Sequence, residues 1–194
     1  GASTGRQSGS DFQKKIDVQA NDILLEALKD CPVATFASEE LDSAVTLHTG
    51  EELAVAVDPI DGSSNIDANI TLGTIFSILP ALAGGGDSSS FLQKGSAQRA
   101  AGFAVYGPAT HLVLSVGAGT QIFTLDRKTG RFVLTTLSVS LPLVTNEYAI
   151  NSSNYRHWED CLKIYVDDLI RGKEGPREKD FNMRWTATPV ADIF

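Results

Sequence analysis

A layered architecture of mixed α and β structure (α+β or layered αβ) is predicted by three features of the sequence. Amphipathic helical patterns stand near both ends, short apolar runs of strand length fill the middle, and turn residues separate those runs at short intervals. No internal repeat is present. With 194 residues and 42% hydrophobic content, the chain can bury a sizeable core in one domain or slightly more.

Residues 1–10 are small and polar and read as a flexible leader, so the core is assigned to residues 11–194. A helix is expected over 12–29, with Ile16, Ala20, Ile23, Leu24, Ala27 and Leu28 on one face and Ser10 or Asp11 as its cap. Two apolar runs, 33–37 and 53–57, predict buried strands, and each ends on acids: Ser38-Glu39-Glu40 after the first, Asp58 after the second. A longer strand is expected over 70–82, followed by a Gly/Ser-rich mobile loop at 84–90. Strands at 102–106 and 111–116 flank a Gly-Pro turn. Those at 121–125 and 131–136 flank residues 126–130 as a hairpin. Trp158, Cys161, Leu162, Tyr165, Val166 and Leu169 mark a second amphipathic helix before a charged loop at 172–180.

Sixteen Lys and Arg against 24 Asp and Glu give a formal net charge of −8. That sign excludes a protein that neutralises nucleic-acid phosphates with a basic face, so no nucleic-acid partner is expected. No run approaches the length of a membrane span and no secretory signal opens the chain, so a soluble protein without a membrane partner is expected. Cys31 and Cys161, the only cysteines, form no metal or redox motif and read as two buried or free thiols in a reducing compartment.

The informative segment is Asp58-Pro59-Ile60-Asp61-Gly62-Ser63-Ser64-Asn65. Asp, Pro and Gly are also ordinary turn residues. Here, however, a buried strand runs directly into two acids, whose charges are costly to desolvate unless something pairs with them. Proline fixes the backbone direction, which lets Asp58 and Asp61 turn toward a common point with the Ile60 carbonyl alongside. Oxygen-only ligation of that kind suits magnesium. Gly62, Ser63 and Ser64 offer N–H groups and hydroxyls as a phosphate cradle. Glu39 and Glu40, adjacent in an extended strand, point in opposite directions and can serve two places. His48, His111 and His157 are isolated and carry no ligand spacing. Ser63 has no sequence neighbour that would activate it as a nucleophile.

On these residues the sequence resembles the class I fructose-1,6-bisphosphatases, members of the lithium-sensitive, magnesium-dependent phosphatase superfamily. The landmarks are the segments at 11–17, 38–40, 58–67, 73–76, 101–107 and 151–158, which run over nearly the whole chain. The resemblance implies a fructose-1,6-bisphosphatase-like sugar phosphatase fold, truncated at its C-terminus, and hydrolysis of the 1-phosphate of fructose-1,6-bisphosphate by magnesium-activated water. It implies Glu39, Asp58 and Asp61 as metal ligands with the Ile60 carbonyl, for Mg2+ or Mn2+ in its place. Asp17 and Glu40 would position and deprotonate the water, and Asp11 would assist from the loop leading into the first helix. Asn65, Asn151 and Arg184 would contact the sugar bisphosphate, Arg184 reaching into a neighbouring subunit's site. A homo-oligomer, dimer or tetramer, and a cytoplasmic or plastid-stroma location are implied as well. Pro189 departs from the family, which usually has an apolar residue such as methionine there, and the family's amino-terminal regulatory region and carboxy-terminal tail have no counterpart. Sedoheptulose bisphosphate hydrolysis stays open as an alternative, as does a catalytically deficient homologue that binds metal or subunits only.

Overall fold

The computed structural model describes residues 9–82 and 88–194. Eight strands form its main sheet: β1 (Val33–Ser38), β2 (Val45–Thr46), β3 (Leu53–Asp61), β4 (Leu72–Pro80), β5 (Ala100–Tyr106), β6 (Thr110–Ser115), β7 (Thr120–Asp126) and β8 (Arg131–Thr136). Their order is β2-β1-β3-β4-β5-β6-β7-β8. From β3 to β8 each strand pairs antiparallel with its successor in sequence, and from β5 to β8 the connections are too short for any other return; β1 and β3 run parallel. The predicted hairpin at 126–130 is present. The Asp126 carboxylate accepts bonds from Lys128 N (2.9 Å) and Thr129 Oγ1 (2.9 Å), while Gly130 supplies the positive φ of 66° that closes the turn.

Helix α1 (Gly9–Leu28) lies against the β1–β3 part of the sheet. It starts earlier than expected, so Ser10 and Asp11 are inside the helix; the cap and the entry loop assigned to them are corrected by this. The sequence-based face was also rotated. Leu24, Leu25 and Leu28 pack on the core of Val33, Phe36, Val55 and Val57, together with Phe76 and Ile78, whereas Ile23 is 70% exposed and Ala27 is exposed. Asn21 is buried and Asp17 half-buried, one and two turns before Leu24 and Leu25 on the same stripe. That stripe carries a carboxylate to the edge of the sheet.

Of the expected loop at 84–90, residues 83–87 lie outside the described residues, as do 1–8 of the expected leader. Ser88–Phe91 is a 3-10 turn, and Ser90 is fully buried with its hydroxyl accepting from Leu82 N at 3.0 Å. The Ser-rich run thus ends in a structural turn. Further on, β9 (Glu147–Tyr148) and β10 (Asn182–Met183) form a short parallel pair, and α2 (Asp160–Ile170) lies between them in sequence. α2 buries Val166 and Leu169, while Tyr165 stays half-exposed under the Arg177 guanidinium, 4.6 Å from the ring centroid. A short helix not anticipated from the sequence, α3 (Pro189–Ile193), packs on β4 and β5. Its proline occupies the first turn, where the missing N–H has no helical partner to lose.

Candidate metal and phosphate site

Asp58 and Asp61 are three residues apart, an odd spacing that sends side chains to opposite faces of a regular strand. On the neighbouring strand, however, Asp58 pairs with Ile75 and Asp61 with Gly73, only two residues apart. The extra β3 residue is a bulge, which returns Asp61 to the face that carries Asp58. Thr74 pins the bulge by donating to Pro59 O at 2.7 Å, and its hydroxyl lies 2.8 Å from Tyr106 Oη.

Because β1 runs parallel to β3, both strands deliver their acids to the same end of the sheet. Glu39 N donates to Val57 O at 3.3 Å, so pairing continues past the end of β1 and holds Glu39 next to Asp58. Glu39 is exposed; Glu40 is half-buried, with its N–H donating to Ser38 Oγ at 3.3 Å. After the bulge, Gly62 (φ 84°) leads into a 3-10 turn over Ser63–Asn65.

Asp17, Glu39, Asp58, Asp61 and Ser63 interact as one cluster. Burial pushes the Asp58 carboxyl up to about 7, helped by the charges of Glu39 and Asp61 and by a hydrogen bond shared with Glu39; the Ile60 N–H opposes this by bonding the carboxylate. Asp17 is raised by burial and then by Glu39, against a lowering bond from the Ser63 side chain. Oδ1 of Asp17 and Oδ1 of Asp58 are both buried without a hydrogen-bond partner. Unpaired buried oxygens in a group of acids are what a cation satisfies, so the donor chemistry fits a hard divalent ion. The side chains are not yet a closed shell: among the described residues, no three His, Cys, Asp or Glu converge as a metal ligand set. One oxygen of Asp61 is already engaged: its Oδ2 accepts from the Thr188 hydroxyl and from Val190 N at 3.0 Å.

The remaining expected site residues are distributed more widely. The side chain of Asp11 lies outside what is described. Ser63 turns to Asp17, and Ser64 is exposed. Asn65 is buried, and its amide donates to Thr186 O at 2.6 Å and Thr71 O at 3.4 Å, so it works as a strut between the Asp61 turn and the segment before α3. Asn151 caps the 3-10 turn Ser152–His157 by accepting from Ser153 N at 3.1 Å. Arg184 follows β10 and pairs with Glu147 at 2.6 Å on the exposed surface. The histidines are structural: His48 Nε2 lies 2.7 Å from Lys29 O, His111 Nδ1 3.0 Å from Thr124 Oγ1, and His157 Nε2 accepts from Arg156 Nε at 3.1 Å. Both cysteines are free and exposed.

Beside Asp58 a concavity of about 520 Å³ opens on the sheet, bordered by Ile75, Ser77, Gln98, Phe103 and Ser115. A larger one, about 970 Å³, opens at the other end of β3 by Leu53, away from the acids in the strand. Of the clustered carboxylates, Asp58 is the one that borders the smaller cavity.

The family described as "Fructose-1-6-bisphosphatase, N-terminal domain" matches residues 1–137. The chain belongs to the fructose-1,6-bisphosphatase family. It is 54% identical over 196 residues to a class 1 fructose-1,6-bisphosphatase of Sinorhizobium medicae, a match that takes in 100% of this chain and 56% of that protein. A class 1 enzyme of Azorhizobium caulinodans is 53% identical over 189 residues, covering 96% of this chain and 58% of the relative. Among solved structures, Leishmania major fructose-1,6-bisphosphatase in holo form superposes with a TM-score of 0.81 at 34% identity, over 92% of this chain and 57% of that one. The T-state structure of the same protein gives 0.82 at 33% identity, over 91% of this chain and 57% of that one. The chain thus spans a little over half the length of the relatives it matches. The family is one of metal-dependent phosphatases.

No helix of the described residues is long and apolar enough to cross a membrane.

Proposed function

We propose that this chain carries the metal-binding carboxylates of a phosphatase that hydrolyses the 1-phosphate of fructose-1,6-bisphosphate. The observation that supports it best is the buried, unpartnered Oδ1 of Asp58, flanked by the charges of Glu39 and Asp61. Glu39, Asp58, Asp61 and the Ile60 carbonyl would hold Mg2+, or Mn2+ in its place. When bound, the ion neutralises phosphate charge and makes a water more acidic. Asp17, raised by burial and by Glu39, is suited to receive a proton at its unpaired Oδ1, and half-buried Glu40 is the second acid for this task. Ser63 steadies Asp17, while exposed Ser64 is available to a phosphate oxygen. Asn151 and Arg184, on the β9–β10 side, would meet the sugar bisphosphate; Arg184 is exposed enough to reach a second copy in a homo-oligomer. A cytoplasmic setting accords with free, exposed thiols.

The test is phosphate release from fructose-1,6-bisphosphate with and without Mg2+, using this chain and the Asp58→Asn variant. Calorimetric titration of Mg2+ should run alongside. Metal-dependent release that Asp58→Asn lowers by a factor of 100 or more, on the order expected when metal charge stabilisation is lost, supports the reading. Mg2+ binding that is indifferent to Asp58→Asn sinks it.

A further inference from the structure

Asp61 is held by a part of the chain more than a hundred residues away. Thr188, fully buried, donates its hydroxyl to Asp61 Oδ2 and lies 3.4 Å from Asp61 O; Val190 N donates to the same Oδ2 at 3.0 Å. Three further contacts build this turn. Thr186 O accepts from Asn65, and Asp192 Oδ1 accepts from Thr186 N at 2.8 Å and from Thr186 Oγ1 at 2.7 Å. Ala187 adopts a left-handed φ of 61°, a conformation that alanine takes only when its surroundings require it.

The slot into which the turn fits is made by two glycines. A Cβ on Gly62 would stand 2.6 Å from Thr188 Cβ, and one on Gly73 would stand 2.2 Å from Val190 Cγ2. Neither separation is sterically available. Gly73 in β4 and Gly62 in the turn after β3 thus leave the room in which Thr188 and Val190 approach Asp61. Packing alone would not require a buried hydroxyl and a buried N–H on one carboxylate oxygen, because an apolar side chain fills space without needing a partner.

We propose that Thr188 is a positioning residue: its hydroxyl, with the Val190 N–H, fixes Asp61 through Oδ2 and leaves ligation of a divalent cation to Oδ1. This rests on the metal reading above. The carboxylate is then a one-oxygen ligand of set direction, and the hydroxyl acts on the ion only through Asp61. Hydrogen-bond partners of ligating carboxylates typically change metal affinity by roughly 10–100-fold.

The experiment measures Mn2+ affinity of the 194-residue chain by calorimetry, together with its melting temperature, for wild type, Thr188→Val and Thr188→Ser. Thr188→Val should weaken Mn2+ binding about tenfold or more, while Thr188→Ser, which keeps the hydroxyl, should stay within about twofold of wild type. Should the valine not fold, Thr188→Ala is read in its place. Equal Mn2+ affinity in wild type and Thr188→Val overturns the positioning role and leaves the metal reading standing, whatever the melting temperatures do. Equal weakening by valine and serine overturns it too, because the methyl packing and not the hydroxyl would then matter. A wild-type chain that binds no Mn2+ removes the metal reading and the positioning role together.

Discussion

At the scale of single residues, Asp58 and Gly73 show how closely the site is tied to the fold's stability. The metal-free folded chain holds the Asp58 carboxyl near 7, against 3.8 for an ordinary aspartate, chiefly through burial and then through Glu39. Between those values the folded state binds a proton that the unfolded chain has released. Stability from this group is thus fully present below about 3.8 and is lost as pH rises through about 7. In the presence of a chelator the melting temperature should fall between about pH 4 and pH 7, and Asp58→Asn should flatten that fall. Parallel curves for the two proteins would place the titration elsewhere. Gly73 makes the opposite point, since it contributes by having no side chain. Its Cβ would also meet Ala104 O at 2.6 Å, a backbone atom that cannot swing aside. Gly73→Ala should cost about 1–3 kcal/mol in urea unfolding, the usual range for overpacking.

At the scale of elements, the alternating and helical patterns were legible wherever one face of an element is buried in the main sheet. The meander from β4 to β8 and the 126–130 hairpin follow from apolar runs and turn residues that need no tertiary information. The bulge in β3 was not legible, although its residues were singled out. Proline at 59 announced a break, but only the pairing of Asp58 with Ile75 and Asp61 with Gly73 shows that both acids share a face. The Thr188 contact was hidden for a different reason, because it joins residues 127 apart and has no local signature. In α1 the apolar pattern was broad enough to accept two faces, and the polar residues Asp17 and Asn21 chose between them. The choice can be measured. Leu25→Ala, which removes a side chain packed on Val33, Phe36, Val55 and Val57, should cost about 2 kcal/mol, and Ile23→Ala should stay within about 0.5 kcal/mol. A larger cost at Ile23 than at Leu25 would mean that α1 sits on the sheet in the other rotation.

At the scale of the whole molecule, the decisive quantity is surface. The chain exposes 12882 Å², whereas a compact monomer of 20.7 kDa exposes roughly 8,900 Å². Part of the exposed apolar surface is concentrated in one place. Phe132, Val133 and Leu134 on the edge strand β8 are each at least two-fifths exposed, and Leu137, Leu141, Leu143 and Val144 follow, all more than two-thirds exposed. An edge strand with unpaired backbone groups and apolar side chains is a template for further pairing. The relatives that this chain matches are almost twice as long, so the same strand has more protein available to it there. In isolation the 194-residue chain should therefore bind an apolar-surface dye and self-associate in the micromolar range, as seen by light scattering. Substituting Val133 and Leu134 with lysine, which places charge on the edge without touching Asp58, Asp61 or Glu39, should shift the chain toward monomer and lower dye binding together. Mn2+ affinity should not change, because β8 lies at the far edge of the sheet, five strands away from the acids of β3. A chain that stays monomeric and dye-silent before the substitutions would show that the exposed side chains of 132–144 close over one another in solution, and the open edge would then not describe the molecule.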